Sequence, residues 1–457
     1  ETLDTLERLP RFRGHFLNWY DTQDLAPLPP AYVSTVDSGN LLACLLVVAR
    51  GLEEAPPPAV VAARMWSGLR DGWQVLSEAL VRDGGARVVK AAPWAAVAAA
   101  LEQPPAADAP PAQQVQRLAR LSACLDRALA HGTRPGAPLP AEATRWLRRL
   151  RAQVGAWQIH LGDGVGADAA GRAGRDLARR CRALAAMDFD FLWQPEQRLL
   201  STGFDVTRGE RDASSYDLLA SEARLASVVA IAQGRLPRDH WLALGRPLVA
   251  VEGSPTLVSW GGTMFEYLMP QLFMPEVSGS LLTRSCRNAV AFQIAHGRRL
   301  GLPWGVSESA YNRVDEKGFY QYRSFGVPGL GFRRGLARDR VVAPYASALA
   351  LMLRPRAALA NLRRLEKLGA LAEAGFYEAL DFTPDRLRDQ AFFAMVKSHM
   401  AHHQGMVLLA LSALLNDRPM QRRFLREPMF RAHDILLHEK VPLVPVLGEA
   451  RARAGRA

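Results

Sequence analysis

The 457-residue sequence predicts an all-α protein, a toroid of paired helices with extra helices and short β-hairpins in its loops, on three observations. Stretches of helical periodicity follow one another in pairs along most of the chain. The chemically unusual residues fall in the connections between those pairs. A few short extended pieces interrupt the helical pattern without being long enough for a sheet of their own. In such a toroid one ring of helix ends opens as a cleft and the loops there line it. Acids distant in sequence, Asp37, Glu222, Glu308 and Glu378, then converge.

Residues 1–36 read as a lead-in with few regular elements. Residues 11–21 crowd aromatics with His15 and Asp21, and Pro27, Pro29 and Pro30 impose an extended path. Ser or Asp within 34–40 supplies an N-cap for a helix over 41–52. Asp37 is either that cap or a hydroxyl acceptor at a sugar subsite. From 57 to 185 the chain is rich in Ala, Leu and Arg, with helical periods at 57–81, 112–131, 141–158 and 168–186. A Pro/Ala-rich link (104–111) and a Gly-rich link (132–140) separate some of them. We read 1–457 as one domain and 85–185 as a helical scaffold or insertion within it.

The character changes at 187. Residues 187–193 and 199–206 are extended in pattern, and 208–212 form a turn. A helix is expected from near Ser214, with Leu218, Leu225, Val229 and Ala232 on one stripe. Glu222 falls on the same stripe, and Arg224 on another face. An inward carboxylate is costly unless it is ion-paired or faces a polar cavity. In 260–270, Thr263 and Glu266 have capping-box spacing, which explains Glu266 as well as any chemistry does. The helix Leu281–Leu300 leads into the densest stretch, 304–326. There Glu308 stands between two serines, after the helix breakers Pro303 and Gly305. Trp304, Tyr311, Phe319, Tyr320, Tyr322 and Phe325 offer flat apolar faces, and Asn312, Arg313 and Arg323 offer planar donors. Aromatic platforms, carboxylates and forked donors together suit a sugar; the alternative is a structural loop whose aromatics plug a core.

Beyond it, 342–353 and 356–368 read as a helical pair, and 375–382 adds Glu378 and Asp381 beside aromatics. A last long helix is expected over 386–415, carrying His399, His402 and His403. His399 and His403 have i, i+4 metal-ligand spacing, but no HExxH occurs and no acid follows on that face. Polar histidines facing a cavity are the expectation, with no metal.

Totals exclude several classes. The net charge of +12 raises nucleic acid and anionic membrane as partners, yet no nucleic-acid motif and no Lys/Arg block accompanies it. A solvated Arg-rich surface is expected. Cys44, Cys124, Cys181 and Cys286 are far apart without CxxC, so free thiols in a reducing compartment are expected. No charge-free apolar run of about 18 residues marks a membrane span, and no signal peptide is visible. The start on Glu1-Thr2-Leu3 reads as a segment of something longer.

Several segments carry a resemblance. They are 13–21, 32–41, Tyr216-Asp217-Leu218-Leu219-Ala220-Ser221-Glu222-Ala223-Arg224, 264–270, Pro303-Trp304-Gly305-Val306-Ser307-Glu308-Ser309-Ala310-Tyr311-Asn312 and Met400-Ala401-His402-His403-Gln404-Gly405-Met406. In this order, over nearly the whole chain, they resemble the glucoamylase-like domain of bacterial cyclic β-1,2-glucan synthases. The resemblance implies an (α/α)6 toroid related to endo-β-1,2-glucanases. It implies ring closure of linear β-1,2-glucan by anomer-retaining intramolecular transglycosylation, with Glu308 as acid/base and Glu222 as nucleophile through a covalent glycosyl intermediate. Such chemistry needs two carboxyl groups about 5–5.5 Å apart. Trp304 and Tyr311 would desolvate the acid, while Arg224 or Arg323 would hold the nucleophile ionised.

The substrate-cleft candidates are Trp19, Tyr20, Asp21, Asp37, Asp205, Asp217, Trp260, Glu266, Trp304, Tyr311, Asn312, Tyr322, Arg323, Glu378, His402, His403 and Gln404, with no cofactor. The resemblance also implies neighbouring glycosyltransferase and phosphorylase-like domains in a parent protein at the cytoplasmic face of the bacterial inner membrane. A hydrolytic endo-β-1,2-glucanase and a non-catalytic glycan-holding module are the competing readings.

Overall fold

The computed structural model divides the chain into two compact units, Glu1–Gly51 with Ala178–Ala457, and Leu52–Leu177. It describes residues 1–54, 58–84, 89–132, 139–162, 167–251, 253–388 and 391–440. The fold is mostly helical, with short unclosed β-hairpins in its loops, the make-up of an (α/α) toroid.

In the Leu52–Leu177 unit, helices Pro58–Gly84, Ala92–Glu102, Pro111–Gly132 and Ala141–Gly162 pack on one another. Leu118, Leu121 and Leu125 repeat at steps of three and four, as do Leu147, Leu150 and Val154, and all are buried. Trp66 is buried with its indole N–H donating to Gln114 Oε1 at 2.7 Å, so the core leaves that donor satisfied. Helix Ala92–Glu102 is additional to the sequence reading. Its run of alanines shows no polar face, and only Trp94, Val97 and Leu101 anchor it. Most of the 132–140 link, and residue 57, lie outside the described residues.

The other unit carries the candidate site. Helix Thr35–Glu53 begins six residues earlier than the sequence reading placed it. Ser34 Oγ accepts the Asp37 N–H at 3.2 Å, so the serine is the cap and Asp37 sits exposed in the first turn. Gly39 lets this helix lie against helix Arg224–Ala232; a Cβ there would meet Ala226 Cα at 2.3 Å. Thr35–Glu53 is long and apolar enough to cross a membrane by length and composition only, although Asp37, Arg50 and Glu53 keep it from being a charge-free run. More than half of it is buried inside the unit, as a core helix is. Helix Leu281–Leu300 runs as expected between a Ser280 cap and a left-handed Gly301.

Two expected helices are cut back by strand pairing. Val341–Val342 pairs with Ala379–Asp381, which in turn pairs with Ala394–Val396. The helix expected over 342–353 therefore starts at Pro344; it is α-helical to Leu349 and 3-10 through Ala350–Met352, before Pro355–Lys367. Likewise the helix expected over 386–415 is only Ala401–Leu415. The central strand is fully buried, and its pairing outweighs the helical periodicity on either side. Two further hairpins matter for the site: Ser309–Val314 with Tyr320–Arg323, and Tyr32–Ser34 with Gly203–Asp205 and Glu210–Arg211. Within 187–193, Asp190–Leu192 is a 3-10 turn rather than extended chain.

Candidate active site

The long helix expected from near Ser214 does not form: Glu222 closes a single kinked 3-10 turn, Ala220–Glu222. Asp217 Oδ1 accepts the N–H groups of Leu219 and Ala220 at 2.8 and 2.7 Å, which turns the chain before a helix can form. Ser221 and Glu222 then take left-handed φ of 47° and 53°, and helix Arg224–Ala232 follows. Two consecutive non-glycine residues in this region carry strain of about 1–3 kcal/mol each and persist only where neighbours hold them. Glu266 is the holder. It forms the capping box with Thr263, and its Oε1 also accepts the Ser221 N–H at 3.0 Å. The capping role of Glu266 therefore places Glu222.

Glu222 is 7% exposed, and among the described residues no hydrogen bond or ion pair reaches its carboxylate. Burial raises its pKa well above the usual carboxylate range. The charges of Glu308, Glu266 and Asp37 raise it further. Arg224 sits beside it, but its guanidinium donates to the carbonyls of Glu266 and Tyr267 at 2.6 and 2.7 Å. The expected pairing of Arg224 or Arg323 with this carboxylate is thus not formed, and Arg323 is ion-paired with Asp339.

Glu308 lies at the head of strand Ser309–Val314. Tyr322, on the paired strand, donates its hydroxyl to Glu308 Oε1 at 2.9 Å. Burial raises the Glu308 carboxyl to about 7, the Tyr322 hydrogen bond opposes this, and Glu266, Asp37 and Glu378 add to it. Behind Tyr322, its oxygen lies 3.3 Å from His403 Nε2, and His403 Nδ1 lies 2.9 Å from Glu378 Oε1 and 3.0 Å from Oε2. Glu378 also accepts the Ala310 N–H at 3.2 Å. Tyr345, which the sequence did not flag, stacks on His403 with ring centroids 3.7 Å apart and reaches Ser307 Oγ and the Glu308 carbonyl at 2.8 Å. His402 packs beside His403, and burial lowers its pKa to about 4.

The structure thus brings together Glu222, Glu308, Glu266, Asp37, Tyr322, Glu378, His402 and His403. Other candidates are committed elsewhere. Strand alternation puts Tyr311 on the opposite face from Glu308, under the guanidiniums of Arg323 and Arg386. Asn312 belongs to the same network through Asp381 and the Arg386 carbonyl. Trp304 is buried against Gly297 rather than open as a platform. Gln404 donates to the Phe376 carbonyl. Asp217, Asp205 and Asp21 accept nearby backbone N–H groups, and the Tyr20 hydroxyl donates to the Pro10 carbonyl. Trp19 and Trp260 stand 64% and 65% exposed. His399 lies outside helix Ala401–Leu415 against Tyr377, so the i, i+4 pair does not exist. Among the described residues no group of three His, Cys, Asp or Glu could hold a metal.

Residues 214–428 match the Glycoamylase family model ("Putative glucoamylase"). Over 99% of its length the chain is 41% identical to the cyclic beta-(1,2)-glucan synthase NdvB of Rhizobium meliloti (strain 1021). It is highly similar to the glucoamylase-like domain of a bacterial cyclic β-1,2-glucan synthase. The chain spans 16% of that relative's length. Among solved structures, the endo-beta-1,2-glucanase of Talaromyces funiculosus with sophorose aligns at a TM-score of 0.48 and 13% identity, covering 96% of this chain and 93% of that one. The beta-1,2-glucanase of Parabacteroides distasonis aligns at 0.42 and 11%, covering 89% and 55%. The matched family segment contains Glu222, Glu308, Glu378 and His403 alike.

Proposed function

We propose that this chain closes linear β-1,2-glucan into rings by anomer-retaining intramolecular transglycosylation, as one domain of a larger synthase. The observation that carries the reading is a pair of carboxyl groups in one desolvated site, only one of which has a hydrogen-bond donor among the described residues. A retaining double displacement needs one carboxyl ionised and one protonated at the start. Glu308 receives the Tyr322 hydroxyl, so its carboxylate form is the better stabilised; Glu222 receives no donor from the described residues and keeps its proton to higher pH. This puts the nucleophile at Glu308 and the acid/base at Glu222, the reverse of the roles implied by the resemblance alone.

Glu222 then protonates the departing glycosidic oxygen while Glu308 forms the glycosyl ester. In the second half Glu222 takes the proton of the chain's own distal 2-hydroxyl as it attacks, and Glu308 leaves. The exposed Trp19 and Trp260 are proposed to hold acceptor sugars over the site and crowd out water. The substrate class comes from the NdvB similarity. The proposed setting beside glycosyltransferase and phosphorylase-like domains at the cytoplasmic face of the inner membrane is what the family resemblance implies, and the chain's 16% share of that relative's length is compatible with it.

The test is to incubate the purified chain with linear β-1,2-glucan, following reducing ends and product resistant to an exo-acting β-glucosidase. Resistant product at constant bond number, lost in Glu308→Gln and Glu222→Gln, is expected. Rising reducing ends without resistant product would make the chain a hydrolase. Binding without turnover would make it a holding module.

A further inference from the structure

Hydrogen counting along Glu308–Tyr322–His403–Glu378 constrains where the site's proton sits. Glu378 accepts from the Ala310 N–H and faces His403 Nδ1 with both carboxylate oxygens. Nδ1 therefore carries a hydrogen. The Tyr322 hydroxyl has one hydrogen but two close partners, Glu308 Oε1 at 2.9 Å and His403 Nε2 at 3.3 Å. If Glu308 is protonated, it donates to the Tyr322 oxygen, Tyr322 donates to Nε2, and His403 is neutral. If Glu308 is ionised, Tyr322 donates to it, and the contact with Nε2 is satisfied only when Nε2 carries a hydrogen too, which makes His403 an imidazolium. An ionised Glu308 beside a neutral His403 leaves two lone pairs facing each other in a site where His403 is 0% exposed.

We propose that Tyr322, His403 and Glu378 form an internal proton relay that moves the proton of Glu308 onto His403 and so sets Glu308 as the carboxylate. The proposal rests on the assignment of Glu308 as nucleophile. In the step, the Glu308 O–H bond breaks and a bond to the Tyr322 oxygen forms. The original Tyr322 O–H bond breaks as a bond to Nε2 forms. Charge moves from a neutral pair to Glu308 carboxylate and His403 cation, and no proton enters or leaves.

Every element packed on His403 fits that cation. The 309–323 hairpin brings Tyr322 and Glu308, and the strand beside it brings Glu378. Helix Pro344–Leu349 lays the Tyr345 ring flat on the imidazole at 3.7 Å, and helix Met264–Leu268 brings the Phe265 ring at 6.2 Å. From its own helix only His402 is titratable at this contact, and burial keeps it neutral near pH 7, so it does not compete for the proton. Tyr322, His403 and Glu378 are thereby positioning residues, acting on the sugar only through Glu308.

Two measurements test this. The first is the pH profile of kcat/KM with linear β-1,2-glucan for the wild type, Tyr322→Phe, Glu378→Gln and Glu378→Asp. Tyr322→Phe and Glu378→Gln are expected to move the acid-side midpoint about one unit or more to higher pH, and Glu378→Asp to restore it. A loss of kcat with an unmoved midpoint means packing only and overturns the relay. The second is 15N NMR of histidine-labelled protein near pH 7. Both His403 nitrogens are expected to be protonated in the wild type, and one in Glu378→Gln. A neutral His403 in the active wild type overturns the proposal. The assignment beneath it fails separately, by Glu308→Gln retaining ring closure, and the NMR readout does not depend on turnover.

Discussion

Replacing Glu308 by Gln is expected to stabilise the folded protein above neutral pH while it removes ring closure. Burial, with the charges of Glu266, Asp37 and Glu378, raises the Glu308 carboxyl from 4.5 to about 7. The unfolded chain releases the same proton near the ordinary value. Between those two values the folded protein holds a proton that the unfolded chain has lost, so stability falls as pH rises across the window. The loss is complete above about pH 7. A displacement of this size corresponds to roughly 3 kcal/mol. Solvent at the partly open carboxylate screens some of this, leaving about 1–3 kcal/mol. Gln keeps the shape and the acceptor for Tyr322 but cannot ionise. For a unit of roughly 330 residues, the expected rise in Tm is about 2–4 °C at pH 8. Little change is expected at pH 4.5, where Glu308 is protonated in the fold. Thermal unfolding followed by circular dichroism at pH 4.5, 6 and 8 makes the comparison. An equal shift at all three, or a lower Tm at pH 8, would show that Glu308 is not held against its charge.

Ring closure itself should follow the two carboxyl groups: kcat/KM is expected to rise with pH through about 7 as the Glu308–His403 network sheds one proton to solvent and the relay keeps the remaining one on His403, and to fall only at higher pH as Glu222 loses its proton, which a buffer series at constant ionic strength checks. Glu266→Gln puts an amide N–H against either the Ser221 or the Thr263 N–H. It is expected to cost about 1–3 kcal/mol in denaturant unfolding and to lower kcat more than it changes KM, because the turn under Glu222 loosens. Gly326→Ala would put a Cβ 1.7 Å from the Gly261 carbonyl oxygen, backbone against backbone. It is expected to lose about 3 kcal/mol or more of stability or fail to give soluble protein, whereas Gly318→Ala, in open space at φ +83°, should cost about 1 kcal/mol in the same melt.

What the sequence made legible was whatever local pattern decides. Long helices with one apolar face, such as Pro111–Gly132 and Leu281–Leu300, were placed within a few residues, and the Thr263–Glu266 capping box was read correctly. Within the stretch before Ala401, residues 394–396 were misread as helix because their pairing partner, Ala379–Asp381, fixes them as a strand from outside the window that periodicity samples. The turn at Glu222 was missed although a signal existed: Asp217, two and three residues before the N–H groups it accepts, is a local competitor to the helix. Tyr345 gave no signal at all, being one aromatic at a helix start. The cluster around Glu308 draws on stretches far apart in the chain, and only the fold says that Tyr311 faces away from it and that Asn312 is tied to Asp381 and Arg386 while Tyr322 faces in.

The placement of Arg224 explains why the site can be both acidic and intact. A guanidinium buried beside Glu222 would ordinarily form an ion pair and pull the carboxyl down toward an ordinary value. Here both terminal nitrogens are tied to main-chain carbonyls of the helix that carries Glu266, so the charge lies near the carboxylates without bonding to any of them. It lowers the Glu222 pKa only as the last of the causes acting on it, after burial and three like charges. The same two bonds fix helix Met264–Leu268 relative to the left-handed turn, and through Glu266 they fix the backbone from which Glu222 projects. Architecture and electrostatics are thus set by one residue: Arg224 holds the turn in place and leaves the Glu222 carboxyl raised well above the usual carboxylate range.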